Sequence, residues 1–493
     1  MIRIPSAASD YRRAIALETP ATIFRIPTYR LRDVPETIER YDENFWCNGH
    51  EVALFVFDDS SLANHDKYYS QLGKTRTANP LYYVGPREKE RFIQFLLHRL
   101  REPKLEALVR NLFRPSYGGN RNFTLMYSLG AFLVSSDDDM RPTALIEHSP
   151  ESLATDEVCR GKLIKVKSGG FKETSFDLLT AFHDALGKAV RDLPTNYEKG
   201  NLVADTLMDL ETNTTKSFSR ENALILDHGK VPAKSVVKIA QTFRTGTNDI
   251  DALDYVEMFL RDEQQVDPYA LNDVYVLVNF RPVVTNNNWR MDCGVAAYDN
   301  RHGLPPFFPT RLRFEDYIYR LWLQQPKIAS AHVDAAQRHM KNNYMRNPLA
   351  TEVFNKELCS LLKRRIKDSV FRRDDLSIAF HYTGEVTLEE SESILKKTTA
   401  VQKRVLAAAD RAHDPERQRA LRAFGANLAK SFYSFEPDFF QQNVSRIVDD
   451  VISQIRASLE LWPTLVEICY FRKDKEPLPA TRVRNQRRSN GEP

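Results

Sequence analysis

Cysteine is scarce in this chain of 493 residues: five in all (Cys47, Cys159, Cys293, Cys359 and Cys469), scattered and without a Cys-x-x-Cys pair. That distribution excludes a disulfide framework and a cysteine-based structural zinc site, and it predicts reduced thiols in a cytoplasmic protein. Long apolar runs are missing too. No stretch approaches the ~18 apolar residues that cross a bilayer, so any membrane contact is expected to be peripheral. Met1-Ile-Arg-Ile-Pro-Ser6 lacks the apolar core of a secretory signal. Charge of one sign is likewise absent from the body. The net charge is +4, and the stretch from Arg472 to the end carries all of it, with seven Lys/Arg against Asp474, Glu476 and Glu492. A neutral body leaves no electrostatic footprint for nucleic acid, so no nucleic-acid partner is expected. The tail 472–493 reads as a basic, disordered, solubilising end.

What is present describes a folded protein, with 42% apolar, 11% aromatic and 28% charged residues. The length suggests roughly two to four domains. Up to about residue 145, strand-like and helix-like patterns alternate. Ala21–Ile26 is a short β-rich run ending at Pro27, and Val34–Trp46 has apolar residues one helical turn apart. Val52–Phe57 is continuously apolar, as a strand buried on both faces is. Leu81–Val84, a helix from Glu88 to Leu100, a helix opened by Tyr117–Asn122 and a strand over Ala131–Ser135 follow. This alternation predicts an α/β fold with a mostly parallel sheet flanked by helices. Residues 150–285 are less regular. Thr180–Val190 looks helical, Ser235–Phe243 fits either strand or helix, and Val274–Phe280 is a strand. From about Ala331 helical spacing dominates, over Lys356–Lys367, Leu388–Ala412, Pro415–Phe435 and Asn443–Leu461. Thr387–Glu390 fits a capping box, and Asp414 precedes a first-turn proline. The expected organisation is a domain over 1–330 with an insertion at 150–285, a helical C-terminal domain over 331–471 and the tail.

Three acidic clusters stand out. Asp137-Asp138-Asp139 directly follows an apolar run, so it sets hard oxygen ligands at the carboxyl end of a strand, where open α/β sheets bind ligands. Carboxylates this close repel one another, and a divalent cation removes that cost; Mg²⁺ or Mn²⁺ prefers such oxygens together with phosphate. In isolation the triplet reads equally well as a solvated acidic turn. Asp58-Asp59, after the second strand, would share its edge. Glu315-Asp316 precedes an apolar helix-like stretch, either as first-turn acids that complement the helix dipole or as a general base, with Arg320 one turn on. Between the first two clusters lies Gly118-Gly119-Asn120-Arg121-Asn122. Its glycines permit tight turning, Asn120 is placed to cap a helix, and Arg121 offers a planar fork for phosphate or for a carboxylate of the acidic cluster. An ordinary helix start with a surface arginine is the alternative.

The order of these features, Ile26-Pro27-Thr28-Tyr29, Phe57-Asp58-Asp59-Ser60, Asn120-Arg121-Asn122, Asp137-Asp138-Asp139 and Glu315-Asp316, resembles glycosyltransferase family 2. The resemblance covers residues 20–325, most closely 20–145. It implies the GT-A fold of nucleotide-diphospho-sugar transferases. It also implies a metal-dependent enzyme of hexosyltransferase type that moves a sugar from a nucleotide-diphospho-sugar to an acceptor hydroxyl with inversion. Mn²⁺ or Mg²⁺ would be the cofactor, and a glycan, lipid, protein or small metabolite the acceptor. By the same resemblance Pro27, Thr28 and Tyr29 would line the nucleoside pocket, and Asp58 or Asp59 would bind the base. Arg121 would lie near the donor, Asp137 would contact ribose or metal, and Asp139 would bind the cation. Asp316, or Glu315, would take the acceptor's proton. His332 falls where related metal-dependent transferases place a third metal ligand, its alternative being a structural histidine.

Departures from the family pattern are also informative. The interval from Asp139 to Glu315 is long and that from Glu315-Asp316 to Arg320 short, and no Gln-x-x-Arg-Trp motif of processive synthases is present. Transfer of one sugar at a time follows. A nucleotidyltransferase of similar sheet would carry a Gly-rich, basic loop where Pro27-Thr-Tyr-Arg30 stands, and a phosphatase would carry an Asp-x-Asp after the second strand. A non-catalytic sugar-nucleotide-binding scaffold is the remaining alternative, and intact carboxylates in all three clusters weigh against it.

Overall fold

The continuously apolar second run is buried on both faces, and the reason is its place in a sheet covered on two sides. The computed structural model describes residues 21–145, 160–167, 173–174, 176–205, 224–228, 231–244, 273–278, 282–286, 294–307, 315–319, 327–339, 388–473, 477–484 and 486–487. Strands β1 (Thr22–Thr28), β2 (Ala53–Asp58), β3 (Leu81–Val84) and β4 (Phe132–Ser136) form its N-terminal half. They lie in the order β3-β2-β1-β4 and all run parallel, with Thr28 opposite Asp58, Phe57 opposite Val84 and Arg25 opposite Ser135. The chain runs outward from β1 to β3 and then crosses back to place β4 on the other side of β1. That reversal creates a switch point between β1 and β4 at the carboxyl ends of the strands.

Alternate side chains feed two cores, as the period of two requires. Phe24, Ile26, Leu54, Val56 and Val134 pack with Val34, Ile38, Tyr41 and Phe45 of helix α1 (Val34–Cys47). Phe57, Val84 and Leu133 pack on the opposite face, with Phe92 and Leu96 of α2 (Pro86–Leu100) and Phe123 and Met126 of α3 (Tyr117–Tyr127). Each such side chain contributes about 1.5–3 kcal/mol on burial.

Beyond β4 the sheet becomes mixed. From the Asp triplet the chain enters β5 (Met140–Leu145), which leaves β4 and pairs antiparallel with the end of a more distant strand, β8 (Ile328–His339). Strand β7 (Val295–Asp299) pairs antiparallel with β4, and β6 (Val236–Arg244) antiparallel with β7; β8 runs parallel to β6. The protein is thus α/β, parallel across its N-terminal half and largely antiparallel beyond it. Strands of the 150–285 stretch, expected to hold an insertion, join the same sheet. Val236–Arg244, which fitted strand or helix, is an interior strand, and Arg160–Lys167, Glu198–Asp205, Leu224–His228 and Asp273–Val278 extend the same sheet. The helix expected over Thr180–Val190 is shorter, Leu178–His183.

The division at 330/331 cuts through β8, so the α/β unit continues to His339. Of the helical region, Lys356–Lys367 lies outside the described residues, while α4 (Leu388–Arg411), α5 (Pro415–Ser431) and α6 (Ser445–Lys473) are present. Asp414 caps α5, its side chain accepting from the Glu416 amide at 3.0 Å. Helix α6 is no loose appendage: Leu461, Trp462 and Leu465 enter the core beneath β4 and β7, and Trp462 Nε1 donates to Leu304 O at 2.7 Å. The basic tail, expected to be disordered, is pinned where it is described. Thr481–Arg482 adds an antiparallel edge strand to β3, Val483 is buried, and Thr481 Oγ1 donates to Glu88 Oε1 at 2.8 Å. This short stretch of low hydrophobicity completes the sheet's edge, a pairing that composition does not reveal. No described helix is long and apolar enough to cross a membrane.

Candidate functional site

Because β1, β2 and β4 are parallel neighbours, their ends bring Thr28, Asp58 and the Asp triplet to one edge of the sheet. The turn after β1 supplies the first partners. Thr28 Oγ1 donates to Asp138 Oδ2 at 2.6 Å and accepts from the Arg30 amide at 2.9 Å; Tyr68 Oη lies 3.1 Å away. Arg30 reaches across to the triplet. Its Nε donates to Asp138 Oδ2 at 3.2 Å, its Nη2 pairs closely with Asp138 Oδ1, and the same Nη2 lies 3.1 Å from Asp139 Oδ2. Thr37 Oγ1, on α1, donates to the Asp138 carbonyl at 2.6 Å and fixes the backbone of the turn.

Electrostatics follow from this burial. Removal from water pushes Asp138 up to about 6, although Arg30 and Thr28 stabilise its charge. Burial also opposes the charge on Arg30, but its bond to Asp138 and the fields of Asp138 and Asp139 outweigh that, holding the guanidinium above its ordinary value. Asp138, which no sequence argument assigned, is therefore the best-anchored member of the triplet.

Asp137 belongs to a different constellation. Its amide donates to Gly294 O at 2.8 Å, and its carboxylate, 40% exposed, accepts from Arg121 Nη2 at 3.1 Å. Arg121 Nε donates at 3.0 Å to Glu315 Oε1, so one guanidinium bridges the triplet to the acid pair that lies 178 residues beyond Asp137, at 315 against 137. Its plane also stands 5.8 Å from the Phe307 ring centre. Of the two functions open to Arg121, the carboxylate clamp is the one observed. Helix α3 starts three residues earlier than Asn120, and Ser116 is its cap, accepting from the Gly119 amide at 3.0 Å. Asn120 Nδ2 instead donates to Phe57 O at 3.0 Å, and Asn122 exchanges bonds with the Phe307 backbone, at 2.7 Å to its amide and 3.1 Å to its carbonyl. Gly119 is obligatory here, since a Cβ would come within 2.0 Å of Arg114 O.

Glu315 is buried, and burial pushes its carboxyl up to about 7, with Arg121 opposing the rise and Asp316 adding to it. Asp316 is half-buried in the same short helix, Glu315–Tyr319. The member of the pair that solvent reaches is therefore Asp316. Arg320 lies outside the described residues.

Asp58 and Asp59 already have protein partners. Asp58 is fully buried, accepting from the Ser60 amide (2.6 Å), Ser60 Oγ (2.7 Å) and Tyr83 Oη (2.7 Å). Asp59 pairs closely with Lys89 and accepts from the Ser116 amide at 3.0 Å; burial raises it above the usual carboxylate range despite Lys89. Lys89 Nζ also donates to Asn120 Oδ1 at 2.8 Å. These two aspartates tie the β2 turn to β3, α2 and the start of α3. Pro27 is half-buried, whereas Tyr29 is 59% exposed on the rim.

His332 does not join the carboxylates. Sheet register links it to Gln241, then to Ala296, then to Ser135. Three interstrand spacings put it about 14 Å from β4. It is a buried core histidine, and its expected metal role is corrected: linear position along the chain hid the width of sheet between them. Among the described residues no three His, Cys, Asp or Glu side chains are grouped to hold a metal ion.

Arg30, Lys89 and Tyr68 were not foreseen as site residues. Arg30 directly follows the Pro27-Thr28-Tyr29 turn, and that adjacency was the only signal available. No protein-family model, curated protein or solved structure gives a significant match to the chain.

Proposed function

We propose that the protein is a metal-dependent, non-processive glycosyltransferase of GT-A type that moves a sugar from a nucleotide-diphospho-sugar to an acceptor hydroxyl with inversion. The observation that carries this reading is the convergence at one switch-point edge. Thr28 and Arg30 from β1, the Asp triplet from β4 and the Arg121-clamped Glu315-Asp316 pair meet there.

The donor set suits Mn²⁺ or Mg²⁺. Asp138 and Asp139 present hard oxygens side by side, and a cation already neutralises them in the form of Arg30. With one or two carboxylates and no third side chain of the kinds that ligate metals among the described residues, the remaining positions fall to water and to diphosphate oxygens, a common arrangement for Mg²⁺. Asp139 is the first ligand in this reading. Such an ion supplies neutralisation of the charge that develops on the leaving diphosphate.

The chain's own residues do the rest. Tyr29 on the rim and Thr28 beneath it border the nucleoside. Arg121 holds Asp137 and Glu315 fixed, so the neighbouring Asp316 is presented from a rigid base. Asp316 accepts the proton of the acceptor hydroxyl as that oxygen bonds to the anomeric carbon and the bond from that carbon to the diphosphate oxygen breaks. Glu315, raised towards neutrality, lessens the repulsion that an ionised Asp316 would meet.

A panel of UDP-, GDP- and dTDP-sugars with Mn²⁺ tests the reading. At least one should be hydrolysed slowly without acceptor, and Asp139→Ala should abolish this. Absence of turnover and of binding across the panel would remove its support.

A further inference from the structure

The cation already seated on the Asp triplet belongs to the protein. Asp138 and Asp139 are nearly inaccessible, with side chains 4% and 7% exposed, while Arg30 is 34% exposed. One nitrogen, Arg30 Nη2, serves both carboxylates, so the guanidinium stands where an ion bridging Asp138 and Asp139 would stand. Metal–oxygen bonds of about 2.0–2.2 Å would draw such an ion into the space the guanidinium fills. Two positive groups cannot share it without strong repulsion. Partial exposure gives Arg30, and neither aspartate, a route outward.

We propose that the Arg30 guanidinium and a divalent cation are mutually exclusive occupants of the Asp138–Asp139 pair. Loading the ion displaces Arg30 outward along Tyr29, over whose ring its Cζ already stands at 5.7 Å, to the open edge of the sheet, where its planar fork is placed for a phosphate oxygen. Arg30 is thus a resident counter-ion before loading and a positioning residue afterwards. The idea rests on the metal-dependent part of the proposed function but not on the identity of any sugar.

The exchange is tested on the full chain with Mn²⁺ alone. Electron paramagnetic resonance of free Mn²⁺ gives the affinity of wild type, Arg30→Gln and Arg30→Lys. Arg30→Gln should bind Mn²⁺ at least tenfold more tightly than wild type, with Arg30→Lys close to wild type. Equal or weaker binding by Arg30→Gln overturns the proposal. If Arg30→Gln does not fold, the wild type still decides: phenylglyoxal labelling of Arg30, read by peptide mass, should rise severalfold when Mn²⁺ is added. Labelling unchanged at saturating Mn²⁺ overturns mutual exclusion, and absence of Mn²⁺ binding by wild type and variants overturns both the exchange and the metal-dependent reading. Exchange without turnover of any nucleotide sugar would sink only the transferase reading.

Discussion

Arg121 Nε lies 3.0 Å from Glu315 Oε1, joining two residues 194 apart in sequence inside a buried pair. Breaking such a pair leaves an uncompensated buried group, at a cost of about 3–5 kcal/mol. Arg121→Gln should therefore destabilise strongly at pH 8. At pH 6 the loss should be smaller, because Glu315 can take up a proton. Chemical denaturation at the two pH values measures the difference.

The same pair gives a signature in the wild type. Glu315 is raised from 4.5 to about 7 in the folded state. Because the folded state then holds the proton more tightly, this group's contribution to stability declines as pH rises from about 4.5 to about 7. Above that range it is level. Glu315→Gln should flatten this segment of the stability–pH curve, and an unchanged slope would mean that the carboxyl titrates normally.

Asp316 and Glu315 should separate functionally. Asp316→Asn should keep donor binding within about twofold while transfer falls by the 10²–10⁴ typical of lost general-base catalysis. Calorimetric titration of the donor alongside a turnover assay distinguishes this from a structural defect, in which both would fall together.

Gly119→Ala should be disproportionately harmful for a single methyl. Its Cβ would lie 2.0 Å from a backbone oxygen, so the start of α3 must shift and carry Asn120, Arg121 and Asn122 with it. A stability loss of about 1–3 kcal/mol is expected from the strain. Donor affinity should fall with it.

His332→Ala should leave Mn²⁺ affinity within about twofold of wild type, whereas Asp139→Ala should remove detectable binding. The contrast follows from the about 14 Å of sheet between His332 and β4. A metal titration of the two variants checks it.

Strands β1, β2 and β4 and helices α1 to α3 were legible because burial on two faces writes continuous apolar runs and helical spacing into the sequence. The edge shared by Asp58 and the Asp triplet followed from the same alternation. Other parts had no local trace. Arg30 meets Asp138 across 108 residues, and Asp138 looked the least distinctive of three identical neighbours. Asp58 and Asp59 carry the pattern of a binding pair yet are held by Tyr83 on β3, Ser60 in their own turn and Lys89 on α2, and the two distant partners depend on how β3 and α2 pack. Thr481–Arg482 became an edge strand because β3 had an unpaired side, a property of the sheet and not of the tail.

Nucleotide binding tests the central claim most directly. Calorimetric titration of UDP, GDP and dTDP into wild type and Asp139→Asn should be run with Mn²⁺ and with chelator. The account predicts that at least one nucleotide binds wild type only when Mn²⁺ is present, and that Asp139→Asn weakens this at least a hundredfold. Metal-independent binding that Asp139→Asn leaves intact, or no binding of any of the three, would contradict it.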